Sequence, residues 1–171
     1  MKKNRTITAM LLLFFVGSLT MSAQNEKFKA LFVYNFIKNI EWPENYKQGD
    51  MVIGVLGNSS VAKELETITA TQKAGNQSMK VKVFSSVEEI TNCHLIYVSP
   101  SKGSSIAQLV SKISGNSTLI VSDSKGAIQQ GSAINFMLDG DKLKFEINKT
   151  RIEQKGLKVS ASLLNLGIQT N

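Results

Sequence analysis

The sequence predicts an α/β fold: a single three-layer domain with a mostly parallel sheet, helices on both faces and a C-terminal antiparallel hairpin. Three observations carry this expectation. Short apolar runs alternate with amphipathic stretches through most of the chain, which is the signature of strand and helix units in a parallel sheet. Residues 26–43, EKFKALFVYNFIKNIEWP, hold five of the ten aromatics after residue 23 and repeat at helical spacing. Near the end, Asp139-Gly140 stands between two alternating runs and reads as a hairpin turn.

The first element is not part of the fold. Lys2, Lys3 and Arg5 precede an uncharged stretch from Thr6 to Ala23, with Leu11 to Val16 at its centre, as in a secretory signal. Residues 1–23 are therefore expected to be a signal peptide cleaved after Ala23, and 24–171 the exported α/β domain. That domain is long enough for one real core and short of two. Of the formal charge of +7, three units belong to the signal, leaving +4 spread along the chain. The basic pairs Lys142/Lys144 and Lys155/Lys158 alternate with apolar residues and lack interleaved aromatics, which argues against nucleic acid. No later stretch is apolar enough to insert in a membrane.

Phe28, Phe32, Phe36 and Ile40 form one i, i+4 row and Ala30, Val33 and Ile37 a second, so the first helix is buried on more than one side. Lys27, Tyr34 and Lys38 mark its wet wedge, and Pro43 ends the run. Residues 51–57 read as a buried strand, with a helix over 61–70 that Ser60 can cap. Residues 71–78 read as an exposed loop, and 79–84, alternating apolar with lysine, as a strand near a sheet edge. Ser86 opens a short helix through Ile90; 94–99 and 118–122 are further strands, with a helix ending at Ile113 between them. The runs 132–138 and 142–147 form the hairpin, Asn148 caps the next helix, and Ser160 caps a last turn carrying Leu163, Leu164 and Leu166. The whole is Rossmann-like.

In such a sheet, ligands bind outside the carboxyl ends of the strands. The loops there carry Ser59, Ser99, Lys102 and Asp123, which suit a small anion or polar ligand, although the same residues are ordinary turn formers. No stretch completes a dinucleotide or phosphate-loop fingerprint, so no cofactor is expected. The single histidine, His94, begins a strand at the far end from these serines, and the single cysteine, Cys93, adjoins it. Neither a serine hydrolase nor a metal site can be built from that placement, and one thiol closes no intrachain disulfide. No catalytic residue is assigned.

The blocks KALFVYNFIKNIEWP (29–43), VIGVLG (52–57), CHLIYVS (93–99), LIVSDSKG (119–126), GSAINF (131–136), FEIN (145–148) and GLKVSASLLNL (156–166) together resemble the YfiR-like family over essentially the whole exported domain. The resemblance implies a periplasmic regulator that binds and represses the periplasmic domain of an inner-membrane sensor. The implied target is a diguanylate cyclase, whose release raises cyclic di-GMP and favours biofilm, or a histidine kinase. It also implies a possible homodimer. The partner face it implies is the last hairpin and the helix after it, with Ile134, Glu146 and Ile152 as contacts; both isoleucines are equally compatible with the core. Redox-sensing relatives pair the cysteine of the CH block with one in the first strand, where this chain has Gly54. They carry a further pair where it has Ile128 and Asn135. A redox gate through an intrachain disulfide is thus not expected here. The alternative to the regulator is a periplasmic small-ligand binder using Ser59, Ser99, Lys102 and Asp123.

Overall fold

The computed structural model describes residues 24–171; the expected signal peptide, 1–23, lies outside them. Helix α1 covers 24–39 and runs into a two-residue strand β1, Ile40–Glu41. Then follow β2 (Met51–Leu56), α2 (Val61–Thr69), β3 (Lys73–Ala74), β4 (Gln77–Phe84), β5 (Leu95–Val98), α3 (Ile106–Lys112) and β6 (Leu119–Ser122). The chain closes with α4 (Ala127–Gln130), β7 (Ile134–Asp139), β8 (Lys142–Ile147), α5 (Lys149–Gln154), β9 (Lys158–Val159), α6 (Ala161–Leu166) and β10 (Ile168–Gln169).

The main sheet has eight strands in the order β10-β8-β7-β6-β5-β2-β4-β3. Strands β4, β2, β5, β6 and β7 are mutually parallel. Their order is that of flavodoxin-like doubly wound sheets, with the topological switch point between β2 and β5. A second small ladder, β1 against β9, pins the C-terminal end of α1 to the end of the chain.

Alternation along the strands sorts two cores. On one face Ile53, Val55, Leu95, Tyr97, Val121, Ile134 and Phe136 meet α1, α2 and α6; on the other Leu56, Ile96, Val98 and Ile120 meet α3 and α4. The aromatic row of α1 is central to the first core. Phe32 and Phe36 lie over Phe136 and Phe145 with ring centroids 5.0–6.1 Å apart, a cluster in which each favourable pair adds about 0.5–1.5 kcal/mol beyond its buried area. Phe28, expected on the same buried row, is 43% exposed because the row runs past the sheet at this end.

Several local expectations need correction. Ser60 makes no capping bond; Ser59, one residue earlier, accepts the Val61 N–H through its hydroxyl at 3.3 Å. The loop over 71–78 folds into a β3–β4 hairpin. No helix follows Ser86: residues 85–89 form bends and a turn, and Glu89 accepts the Ser85 N–H at 2.8 Å. The four-residue α4 is too short to leave a periodic signal. The β7–β8 turn is Gly140-Asp141, one residue beyond the expected pair, because Asp139 still pairs with Lys142 in the ladder. Gly140 takes φ 59° there, as the first position of a two-residue hairpin loop with no second positive φ requires. The hairpin is not the sheet's last element, since β10 adds a parallel strand outside β8. The Asn148 and Ser160 caps form as expected, accepting Arg151 N–H at 2.9 Å and Leu163 N–H at 3.2 Å.

Candidate functional site

The switch point sets a crevice above the carboxyl ends of β2 and β5, and α1 lays its first turns across it. Tyr97, the one polar residue inside an otherwise aliphatic β5, aims its hydroxyl into this crevice. It donates to Asp123 Oδ2 at 3.2 Å, just beyond β6. Lys29 of α1 donates to the same carboxylate oxygen at 2.5 Å and to Glu26 Oε1 at 2.7 Å, and Ser59 Oγ donates to Glu26 Oε2 at 3.4 Å. Burial alone would lower the Lys29 pKa, but the hydrogen bonds to Asp123 and Glu26 outweigh it and hold the ammonium above the usual lysine range. Burial, followed by the charges of Asp123 and Glu26, pushes the Tyr97 phenol up, so it remains a donor.

The network therefore joins two of the four expected ligand residues, Ser59 and Asp123, through side chains that sequence reasoning did not single out: Glu26, Lys29 and Tyr97. Ser99 and Lys102 stand apart. Ser99 is fully buried with its hydroxyl 3.0 Å from that of Ser101, and the loop holding Lys102 packs against Gly57.

A second polar site lies two strands further along. Asn135 in β7 accepts from Ser122 Oγ at 2.9 Å and Ser124 N–H at 3.1 Å, and its amide donates to Glu146 Oε2 at 3.0 Å. Glu146 is half-buried. It lines an open cleft of about 350 Å³ together with Asp123, Ser124, Lys125, Met137 and Leu138. Asp123 thus stands between the two sites, with one oxygen committed to Lys29 and Tyr97. Leu138 at the rim is 57% exposed. Ile134 and Ile152, named with Glu146 as partner contacts, are both 0% exposed and belong to the first core, so neither side chain offers surface to a partner in this structure.

Cys93 and His94 lie at the opposite end of the sheet. His94 Nδ1 accepts the Val52 N–H at 3.0 Å, so Nε2 carries the proton and donates to Tyr46 O at 2.8 Å. Burial pushes the Cys93 thiol up to about 11. A Cβ built on Gly54 would stand 3.1 Å from Cys93 Sγ, close to the roughly 3 Å that separates a Cβ from the partner sulfur in a disulfide. That distance is compatible with the pairing that the resemblance implied for redox-sensing relatives; here position 54 is glycine and Cys93 is a free, buried thiol.

Fold and sites define a doubly wound α/β domain whose switch-point crevice is filled by its own side chains and which has an open cleft beside the β7–β8 hairpin. Among the described residues no helix is long and apolar enough to cross a membrane. The chain belongs to the DUF4154 family, described as YfiR/HmsC-like, which matches residues 26–168. That family consists of periplasmic regulators of cyclic di-GMP signalling. No curated protein matches the chain. Among solved structures it is similar to a conserved domain protein from Vibrio cholerae (TM-score 0.61, 13% identity), over 85% of this chain and 60% of that one. It is also similar to an ABC domain from Streptococcus pneumonia in complex with L-Trp (TM-score 0.50, 18% identity), over 69% of this chain and 54% of that one. This chain thus spans less than two thirds of either, and at these identities the likeness is one of fold.

Proposed function

We propose that this protein is a periplasmic regulator that binds the sensing domain of an inner-membrane signalling protein, a diguanylate cyclase or a histidine kinase, and holds it inactive. The observation that supports this reading is the composition of the cleft beside the hairpin. It combines a half-buried carboxylate, Glu146, with the exposed Leu138, an apolar anchor and a charge on one rim. The flanking edge is open as well. Strand β10 covers only Glu146 and Ile147, and among the described residues no strand pairs with the outer side of Lys142–Lys144. Ile134 and Ile152 serve this face from beneath, holding the hairpin and α5 in place.

The test is a crosslinked pull-down from native envelope with tagged wild type, Leu138→Glu and Glu146→Gln. Leu138 is exposed, so its substitution leaves the fold intact, and the glutamine keeps an acceptor for Asn135 while removing the charge. The expected result is one inner-membrane sensor captured by wild type and lost at least tenfold in Leu138→Glu. Equal capture by all three proteins would remove the cleft from the binding face.

A second reading, a small polar ligand in the same cleft, rests on the charged side chains of Asp123, Lys125 and Glu146 that line it; the unpartnered Ser124 Oγ is buried against Gly103 and does not face it. Of the residues first considered for a ligand, only Asp123 lines this cleft. A metabolite screen by thermal shift, repeated on Asp123→Asn, decides it: a hit that the substitution removes supports the ligand, and an unaltered hit places it elsewhere.

A further inference from the structure

Among the described residues, two buried side-chain polar atoms lack a hydrogen-bond partner, Ser124 Oγ and Arg151 Nε. Ser124 Oγ is packed against Gly103, and Arg151 lies elsewhere. It borders a separate cavity of about 80 Å³ beside α3, β6 and α5, whose lining includes Val110, Ile120, Gly131, Ala133 and Lys155. That volume suits two or three waters or one small polyatomic anion, since a water's share of the liquid is about 30 Å³.

Charge and space in this cavity point the same way. No carboxylate lines it, although it is bordered by both a guanidinium and an ammonium. Lys155 Nζ donates to the carbonyls of Ile113 at 2.9 Å and Ser114 at 3.3 Å, closing the C-terminal end of α3, and a third N–H remains for another acceptor. Burial lowers the Lys155 pKa, and no carboxylate among the lining residues offsets it. The other lining residues, Val110, Ile120 and Ala133 with Thr118 and Gln154, carry no charge. Gly131 borders the cavity at a φ of 118° that other residues rarely adopt, and a Cβ there would collide with Val110 Cγ2 at 2.6 Å, so close packing against Val110 requires glycine.

We propose that this cavity binds a small oxyanion, with Arg151 as the directional donor and Lys155 as the second charge. The oxyanion is inorganic phosphate or the carboxylate of a small acid. Planar guanidinium groups bind both in paired hydrogen bonds, which a lone ammonium does not. The site is independent of the hairpin cleft and of the regulatory reading.

Calorimetric titration and thermal unfolding of the purified protein test it. One arm uses sodium phosphate and the other sodium acetate, each against chloride at matched ionic strength. The expected result is saturable binding in one arm, with the arm that responds naming the head group. Arg151→Met, which keeps an apolar stem, should weaken binding about tenfold or more, and Lys155→Gln by less. Absence of a saturable response beyond chloride in both arms would overturn the proposal, as would equal affinity in Arg151→Met. Circular dichroism checks that this variant is folded; if it is not, Lys155→Gln decides, and unchanged affinity there overturns the site.

Discussion

The two polar sites at the carboxyl end of the sheet make an instructive pair. The crevice between β2 and β5 is where the topology of a doubly wound sheet invites a ligand, yet Lys29, Glu26, Tyr97 and Asp123 saturate one another inside it. The cleft between β6 and the hairpin has no such topological claim. It is open and has an exposed leucine on its rim. Strand order locates a crevice; the side chains of other elements decide whether it stays free. Here the first helix closes the expected site, and what remains for recognition lies two strands away.

The strongest way to break this contrast is Lys29→Met. It leaves the Asp123 carboxylate without its cation in a mostly buried site, and chemical denaturation should show a loss of about 2–4 kcal/mol, as for other broken buried pairs. Because the folded-state pKa of Lys29 is raised, its contribution is complete below the unfolded lysine pKa of about 10.4 and is lost as pH rises through the higher folded value. Wild-type and variant stabilities should therefore stay apart from neutral pH up to about pH 10 and converge only above it. A constant small difference at all pH values would mean that the ion pair does not hold the helix in the crevice.

Next in size is Gly54→Cys, which ties the strand on one side of the switch point to the residue pair that opens the other. Oxidised, the variant should gain roughly 2–4 kcal/mol of stability, reversed by reductant, with part of the gain offset by crowding against Phe84 and Ile96. Thiol titration and thermal unfolding with and without reductant measure both. With the strands clamped, partner capture through the hairpin cleft should be unchanged, because that cleft does not require β2 and β5 to separate. The smallest effect expected is from Tyr97→Phe, which removes one hydrogen bond to a carboxylate that keeps Lys29: about 1 kcal/mol by denaturant unfolding, with no effect on capture.

Much of the fold was legible from local pattern. The aromatic row at Phe32 and Phe36, the buried apolar strands and the caps at Asn148 and Ser160 each follow from neighbours a few residues apart, and each appears in the structure. What was not legible depends on distant partners. Lys29 and Asp123 are 94 residues apart, and nothing near either announces the other. Tyr97 carried a faint signal, as a phenol in a strand otherwise made of aliphatic residues. Alternation puts Glu146 on one face of its strand with Lys142 and Lys144 but does not show what lies beside it; Asn135 bonds its carboxylate and β10 pairs with its backbone. Ile134 and Ile152 show the converse, since resemblance marked them as contacts while packing puts them beneath the surface.

Gly54 has a consequence on another timescale. Codons for glycine and cysteine can differ by a single base, and a Cβ at position 54 would stand 3.1 Å from the Cys93 sulfur. A single base change could therefore set a second thiol beside the first, and its reversal would remove it.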